Sequence, residues 1–450
     1  MYEEITDYTL LSFLKQKMHE DTFAYTRPLH SLKFCAVRVI KAPAHRSAVL
    51  VLSNGKDSKI WGVQKCKSPW ACPVCSAARM SKEAGRIASA IDALKERGQR
   101  AFMITFGVPH LKTFSFKITY QILQETWHNF TAQGRSPSQI HTNCFAQFNE
   151  QFNCTYRIRV GESTYGQNGH HPHYHCLFFV DSNKLQKVLE WQDRFSKVWF
   201  ESAKRSTVRV LKREAKKLGI TEEDYVHKLR YPFNTDEKTI KEFVENFFNK
   251  TEHVTKNMPD AYISVDDNGK VIAQESSAYI CGWGADKELT GNFRKQASHE
   301  GHFTPHQILE KAYELRSTNK EECNRLLHIY FEYALGTFKK YRVRLSPGLG
   351  KIIIKWRQTQ AYTESLKKKA ENHDQLRWKT ICWFKESQWF EICHCCLLPE
   401  ILKLARAPDG YEKICELLLQ YSIDIRENGT YDEQEFIENE IVNAHLAKIA

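Results

Sequence analysis

Apolar positions recur along this chain with two periods, and the period changes repeatedly. Met80, Ala84, Ile87, Ile91 and Leu94 return at helical spacing and Gly98 offers a C-terminal stop, which predicts a helix from residue 76. Residues 101–106, Ala-Phe-Met-Ile-Thr-Phe, read as a compact buried strand. The pattern then predicts a helix over 119–131, strands over 154–161 and 173–180, and a helix through 184–200 carrying Leu185, Val188, Leu189, Phe195 and Trp199. Strands return over 260–265 and 270–273 around Asp267-Asn268-Gly269, a hairpin signal, with a short helix from 274. Beyond 305 the pattern is mainly helical, with a break at Ser346-Pro347-Gly348 and an apolar strand candidate at 351–356. Residues 35–75 look rich in strands and turns, and 1–34 read as a leader without strong signals. Hairpin-spaced strands among helices predict an α+β fold with an antiparallel sheet.

Composition narrows the class. Of 450 residues, 42% are hydrophobic and 12% aromatic, which excludes collagen-like, low-complexity and disordered chains. At ~150 residues per domain, two or three domains are expected. The divisions expected are 1–99 with the cysteines and a helix, 100–300 with the mixed core, and 301–450 as a mainly helical region for DNA or partner binding. No apolar run reaches ~18 residues, so no membrane-spanning helix is expected. Met1-Tyr2-Glu3-Glu4 lacks the basic and apolar regions of a secretion signal, so the expected location is cytoplasmic. There, the 14 cysteines are expected as thiols or metal ligands rather than disulfides.

The 65 Lys and Arg exceed the 53 Asp and Glu by only 12, so the distribution of charge matters more than its sum. Residues 204–217 carry Lys204, Arg205, Arg209, Lys212, Arg213, Lys216 and Lys217 against a single Glu214. A second basic stretch holds Lys339, Lys340, Arg342, Arg344, Lys351, Lys355, Arg357 and Lys367 to Lys369, whereas 424–440 is acidic. Clustered cations near Trp and Tyr suit phosphate contacts and base stacking; a solvated helix face is the alternative.

Three constellations carry candidate chemistry. Cys66, Cys72-Pro73-Val74-Cys75 and the earlier Cys35 form a set that could close a four-thiolate zinc site of structural type; scattered buried thiols are the alternative. Cys393-His394-Cys395-Cys396 lacks such spacing and reads as buried strand or helix. In His170-His171-Pro172-His173-Tyr174-His175, residues two apart on a strand face the same way, so His173 and His175 project together and Tyr174 opposes them. Pro172 suits a strand start, His171 shares the parity of the pair, and His170 is expected on the solvent side. A loop over 163–172 returns the chain, which lets Glu162 lie beside both imidazoles. Two His and one carboxylate leave positions open for water and substrate, the pattern of a catalytic metal site; a His-rich surface loop is the alternative. In the third constellation, Glu275 and Tyr279 form an i,i+4 pair if their segment is helical. A phenol can act as a nucleophile when its ionisation is assisted, but packing is the commoner role of a tyrosine.

Together these segments resemble the HUH-type single-strand endonucleases, specifically the replication initiator (Rep) proteins of rolling-circle plasmids and phages, in their cysteine-containing branch. Met103-Ile104-Thr105-Phe106 with Val108-Pro109-His110 is similar to the first family motif, His171-Pro172-His173-Tyr174-His175 to the histidine motif, and Ala278-Tyr279-Ile280 with Gly282-Trp283-Gly284 and Glu288-Leu289-Thr290-Gly291 to the nucleophile motif. Cys66, Cys72-Pro73-Val74-Cys75-Ser76 and Leu345-Ser346-Pro347-Gly348-Leu349 look like segments of the same branch, so the resemblance spans about 35–350. It departs where Phe106-Gly107 replaces a second threonine, and at Gly282, where the family commonly has lysine. Either Lys287 supplies that charge or the pattern tolerates glycine.

The resemblance implies an antiparallel HUH core flanked by helices, with His173, His175 and Glu162 holding Mg²⁺ or Mn²⁺ and Cys35, Cys66, Cys72 and Cys75 holding Zn²⁺. It implies that Tyr279 nicks one strand of origin DNA, leaving a 5′-phosphotyrosine link and a 3′-hydroxyl primer, and that Glu275 activates water for the terminating hydrolysis. Single-stranded origin DNA, a host helicase and a polymerase are the implied partners, with no membrane. The same chemistry fits a transposase or relaxase of this class. A His₂Glu zinc hydrolase would need no tyrosine, and a non-enzymatic zinc-containing DNA-binding regulator would need neither the histidines nor Tyr279.

Overall fold

The alternating segments on either side of the Asn168-Gly169 signal form a long antiparallel hairpin, Arg157–Gly166 (β4) and Gly169–Asp181 (β5), with Gly166 paired to Gly169. The turn is therefore two residues, Gln167-Asn168, and not the ten-residue loop expected over 163–172. Gly169 follows it at φ +89°, a backbone that favours glycine. The computed structural model describes residues 5–19, 29–40, 48–132, 144–230, 236–257, 261–266, 268–271, 301–359 and 379–428. Its other strands are Ala48–Ser53 (β1), Ser58–Trp61 (β2), Gln99–Phe106 (β3), Ala261–Ile263 (β6), Val343–Leu345 (β7) and Lys379–Lys385 (β8). The fold is mixed α+β with antiparallel sheets.

The described residues form two compact units, one drawn from Met1–Ser68, Cys72–Cys75 and Ser365–Ala450, the other from Pro69–Ala71 and Ser76–Glu364. This grouping differs from the linear division at 99 and 300. Strand β8 pairs with β1, and β7 pairs with β4, so segments far apart in sequence complete each sheet.

In the larger unit the strand order is β6-β3-β5-β4-β7, every pair antiparallel. One face carries Ala101, Met103, Ile158, Val160, Leu177 and Phe179. These pack on Met80, Ala84, Ile87, Ile91 and Leu94 of the Pro73–Lys95 helix and on Leu349, Ile352 and Ile353. The opposite face is aromatic. Phe106 meets Trp199 at 4.6 Å and Phe130 at 5.4 Å between ring centroids, and Phe102 stacks on Phe178 at 5.8 Å. The buried Trp199 indole donates to the Gly107 carbonyl at 2.6 Å, so its N–H is satisfied inside the apolar layer. Helices Phe116–Thr131 and Gln192–Leu218 cover this face; Ser115 caps the first and Gly219, at φ +67°, ends the second.

Several expectations are corrected. Residues 351–356 lie within a helix, Leu349–Arg357, not a strand. Leu349, Ile352 and Ile353 are buried while Ile354 is 60% exposed, which is helical spacing that three consecutive isoleucines obscure. Residues 1–34 contain the Asp7–His19 helix, which buries Leu10, Leu11, Phe13, Leu14 and Met18. Pro172 is the fourth residue of β5, not its first. The β3–β5 pairing runs only as far as Tyr174, so the missing N–H of Pro172 falls where β5 has no β3 neighbour. Val265 and Val271 form an isolated bridge around Gly269; the helix expected from 274 lies outside the described residues.

In the smaller unit, β2-β1-β8 form a three-stranded sheet with a register shift between Val51 and Leu52. The Cys393 segment ends the Glu386–His394 helix, with Cys395 and Cys396 exposed rather than buried. Among the described residues no helix is long and apolar enough to cross a membrane.

Gly161, beside Glu162 on β4, permits close packing by Trp70. A β-carbon there would stand 2.7 Å from the indole, while the indole N–H holds the Lys340 carbonyl at 3.0 Å. Gly161→Ala is expected to cost about 1–3 kcal/mol through this overpacking, measured as a lowered denaturation midpoint; an unchanged midpoint counts against the tight fit.

Candidate metal centres

The β4–β5 register sets Glu162 directly opposite His173 and Val160 opposite His175. All four point to the sheet face that carries Leu177 and Phe179, so the apolar layer gives way along β5 to a polar group. Glu162 Oε2 lies 3.7 Å from His173 Nε2 and 3.4 Å from His175 Nε2. The side chains are 7%, 12% and 15% exposed, shielded yet open to a small ligand. Their nearest ligand atoms all lie within 4.8 Å of one another, and the group could hold a metal ion.

The ring orientations follow from their other nitrogens. His173 Nδ1 lies 3.1 Å from the His171 carbonyl, which can only accept. Nδ1 therefore carries the hydrogen, and the Nε2 lone pair is aimed at the shared centre. His175 Nδ1 contacts the Thr105 hydroxyl at 2.9 Å across the β3–β5 pair. In the sequence Thr105 marks only a strand, and its place in the first motif is the signal for a further role.

The neighbouring histidines divide. His171 stacks on His110 at 4.8 Å and 12°, outside the three-residue metal group. Burial holds both neutral, pushing His110 down to about 4 and His171 well below the usual range. His170 is not on the solvent side: it is 4% exposed, edge-on to Phe116 at 5.1 Å and Tyr165 at 4.9 Å, with Nε2 3.5 Å from Glu332 Oε2. The His302 ring, which no sequence pattern marked, lies against Gly166.

The cysteine cluster belongs to the smaller unit. Cys35 Sγ lies 3.7 Å from Cys72 Sγ and 3.5 Å from Cys75 Sγ, and Cys66 completes a four-residue group that could hold a metal ion. The residues after Cys35 and Cys66, Ala36 and Lys67, adopt φ +59° and +56°, which turns the chain sharply at each sulfur. Backbone N–H groups of Cys66 and Cys75 donate to Cys35 Sγ and Cys72 Sγ at 3.5 and 3.4 Å. Hydrogen bonds from Cys66, Cys72 and Cys75 hold the Cys35 thiol far below its ordinary value, whereas burial pushes Cys72 well above it. None of the four is in a disulfide.

The basic run 204–217 lies on the Gln192–Leu218 helix, whose opposite face buries Ser206, Thr207, Val210, Leu211 and Ala215. Lys212 and Arg213 pair with Glu222 and Glu125 at 3.0 and 3.2 Å, Lys217 pairs with Glu214, and Arg209 reaches Asn129 at 3.3 Å. Arg205 and Lys216 are exposed and Lys204 half-buried. Tyr279, Glu275, Gly282 and Lys287 lie outside the described residues.

Thr105→Val keeps volume but removes the hydroxyl beside His175 Nδ1. It is expected to weaken Mn²⁺ binding about 10–100-fold with the fold retained, by calorimetric titration; equal affinity would mean Thr105 does not orient the ring.

No family model and no solved structure matches the chain. The chain is similar to Protein rep of Streptomyces lividans, with 26% identity over 188 residues, covering 34% of this chain and 41% of that protein. The similarity supports a relationship with that Rep protein.

Proposed function

We propose that this chain initiates rolling-circle replication as a metal-dependent single-strand DNA endonuclease of the HUH type. The observation that carries the reading is the Glu162–His173–His175 group, built on two paired strands of an antiparallel sheet with both imidazoles oriented through Nδ1. The similarity to a protein named Protein rep supports the replication role.

The donor set suits Mn²⁺ at least as well as Mg²⁺, which prefers oxygen ligands. Ligand atoms ~2.1 Å from one centre stand about 3.0–3.4 Å apart; Glu162 is 3.4 and 3.7 Å from the imidazoles. When bound, the ion polarises the scissile phosphodiester as a Lewis acid. Tyr279 attacks the phosphorus in line. The phenol loses its proton, the bond to the 3′ oxygen breaks, and that oxygen takes up a proton as the free 3′-hydroxyl. The 5′ end remains on Tyr279 as a phosphotyrosine. Glu275 activates the water that later hydrolyses this link. The roles of Tyr279 and Glu275 rest on the sequence resemblance. Lys204, Arg205, Arg209, Lys212, Arg213, Lys216 and Lys217 are proposed to contact DNA phosphates. A host helicase and polymerase are the proposed partners that open the duplex and extend the primer.

Zinc is proposed for Cys35, Cys66, Cys72 and Cys75. Thiolates ~2.3 Å from a tetrahedral centre stand about 3.8 Å apart, whereas a disulfide holds its sulfurs at ~2.05 Å. The 3.7 and 3.5 Å separations from Cys35 agree with the first. A closed thiolate set has no open position and serves folding.

Incubation with Mn²⁺ and a single-stranded oligonucleotide of the cognate origin is expected to give a covalent protein–DNA adduct on a denaturing gel. Tyr279→Phe and the His173→Ala/His175→Ala pair should give none. An adduct formed equally well by Tyr279→Phe would remove the nucleophile assignment. For the second metal, zinc measured by mass spectrometry should survive His173→Ala/His175→Ala and be lost in Cys72→Ala/Cys75→Ala, with a lowered denaturation midpoint. Zinc that follows the histidines instead would reverse the two assignments.

A further inference from the structure

The reverse face of the β4–β5 hairpin carries a second charged site. Arg159 on β4 is paired in register with Arg344 on the edge strand β7. Like charges directly opposite across a strand pair are destabilising, so this arrangement costs stability unless something neutralises it. Arg157, two residues back on the same face, adds a third guanidinium. Among the described residues none of the three is paired with a carboxylate. Elsewhere in the unit Arg79, Arg86, Arg213 and Arg325 each hold one.

The three cations are fixed by aromatic rings in place of acids. Arg159 lies over Tyr174 at 4.4 Å and Trp127 at 4.7 Å, Arg157 over Phe145 at 4.9 Å, and Arg344 over Tyr341 at 5.2 Å. Burial and the neighbouring charge of Arg159 lower the Arg157 pKa. The guanidiniums line a pocket of about 350 Å³ with Gln124, Trp127 and His128. Its size suits a nucleotide unit, guanidinium forks match phosphate oxygens, and an indole in the wall offers a surface to a base.

We propose that this pocket binds a backbone phosphate of single-stranded DNA, with the attached base against Trp127. The inference rests on the reading of the chain as a DNA-nicking enzyme. It adds a binding point on the sheet face opposite Glu162, His173 and His175, so the phosphate held here is not the scissile one. The pocket grips the strand away from the cut and is independent of the metal.

The test uses the full chain without added Mg²⁺ or Mn²⁺ and a fluorescein-labelled oligodeoxythymidylate, followed by anisotropy over a salt series. Arg344 is exposed on an edge strand, so Arg344→Ala is expected to fold, with a denaturation midpoint equal to or above that of the wild type because the Arg159–Arg344 repulsion is relieved. It should bind the oligonucleotide several-fold more weakly. The slope of log K against log salt should be shallower by about 0.7 for each phosphate no longer neutralised. Arg344→Lys should restore the slope but not the full affinity, and Trp127→Leu should lose affinity with the slope kept. Wild-type binding matched by Arg344→Ala in affinity and slope overturns the pocket and leaves the nicking reading intact. Loss of binding in Arg344→Ala, with no adduct from the wild type in the Mn²⁺ assay, keeps the pocket and removes the nicking reading. Failure of the wild type to bind the oligonucleotide overturns the pocket, and the Mn²⁺ adduct assay decides the nicking reading separately. Displacement by dTMP or inorganic phosphate at the same phosphate concentration assigns the pocket to a free anion and overturns the DNA assignment.

Discussion

The register of one strand pair governs the chemistry of the larger unit. Side chains alternate across a strand with a period of two, so a slip of one residue between β4 and β5 would carry Glu162 to the wrong side of His173. The two-residue turn at Gln167-Asn168 leaves little freedom for such a slip. The apolar face adds a second lock, because Ile158, Val160, Leu177 and Phe179 must all meet the Pro73–Lys95 helix together. The same face that forms the core farther along β5 therefore delivers His173 and His175 beside a carboxylate.

Rigid strands suit this task. Each imidazole is held at two points, by its strand and by its Nδ1 partner, so its remaining nitrogen is aimed before any ion arrives. Trp70, packed over Gly161, supports β4 next to Glu162 and accounts for a glycine in the middle of a long strand.

The hairpin also separates charge by face. One side gathers a carboxylate and imidazoles, suited to a cation. The other gathers Arg157, Arg159 and Arg344, suited to an anion. The parity that keeps His173 and His175 together sends Arg159 to the opposite side, so both surfaces derive from one alternation. On the Gln192–Leu218 helix, by contrast, Lys212, Arg213 and Lys217 each hold an acidic partner, so a phosphate bound there would replace a carboxylate.

By itself the sequence determined whatever depends on local spacing. The β3 and β5 strands, the Pro73–Lys95 helix, the shared parity of His173 and His175, and the Cys72–Cys75 knuckle were all legible, because each is set by residues within one or two turns of one another. Long-range partners were not. The Leu349–Arg357 helix hid behind consecutive isoleucines that only packing on the sheet could sort into buried and exposed positions. His170 went inward because Phe116, Tyr165 and Glu332 converge on it from three other segments. Thr105 acquired its role from β3–β5 pairing, and Arg344 met Arg159 only through an edge strand far along the chain. Local pattern chose the side chains and their facing. The tertiary structure decided their neighbours, because burial and electrostatics act through space, between segments whose separation along the chain carries no information about distance.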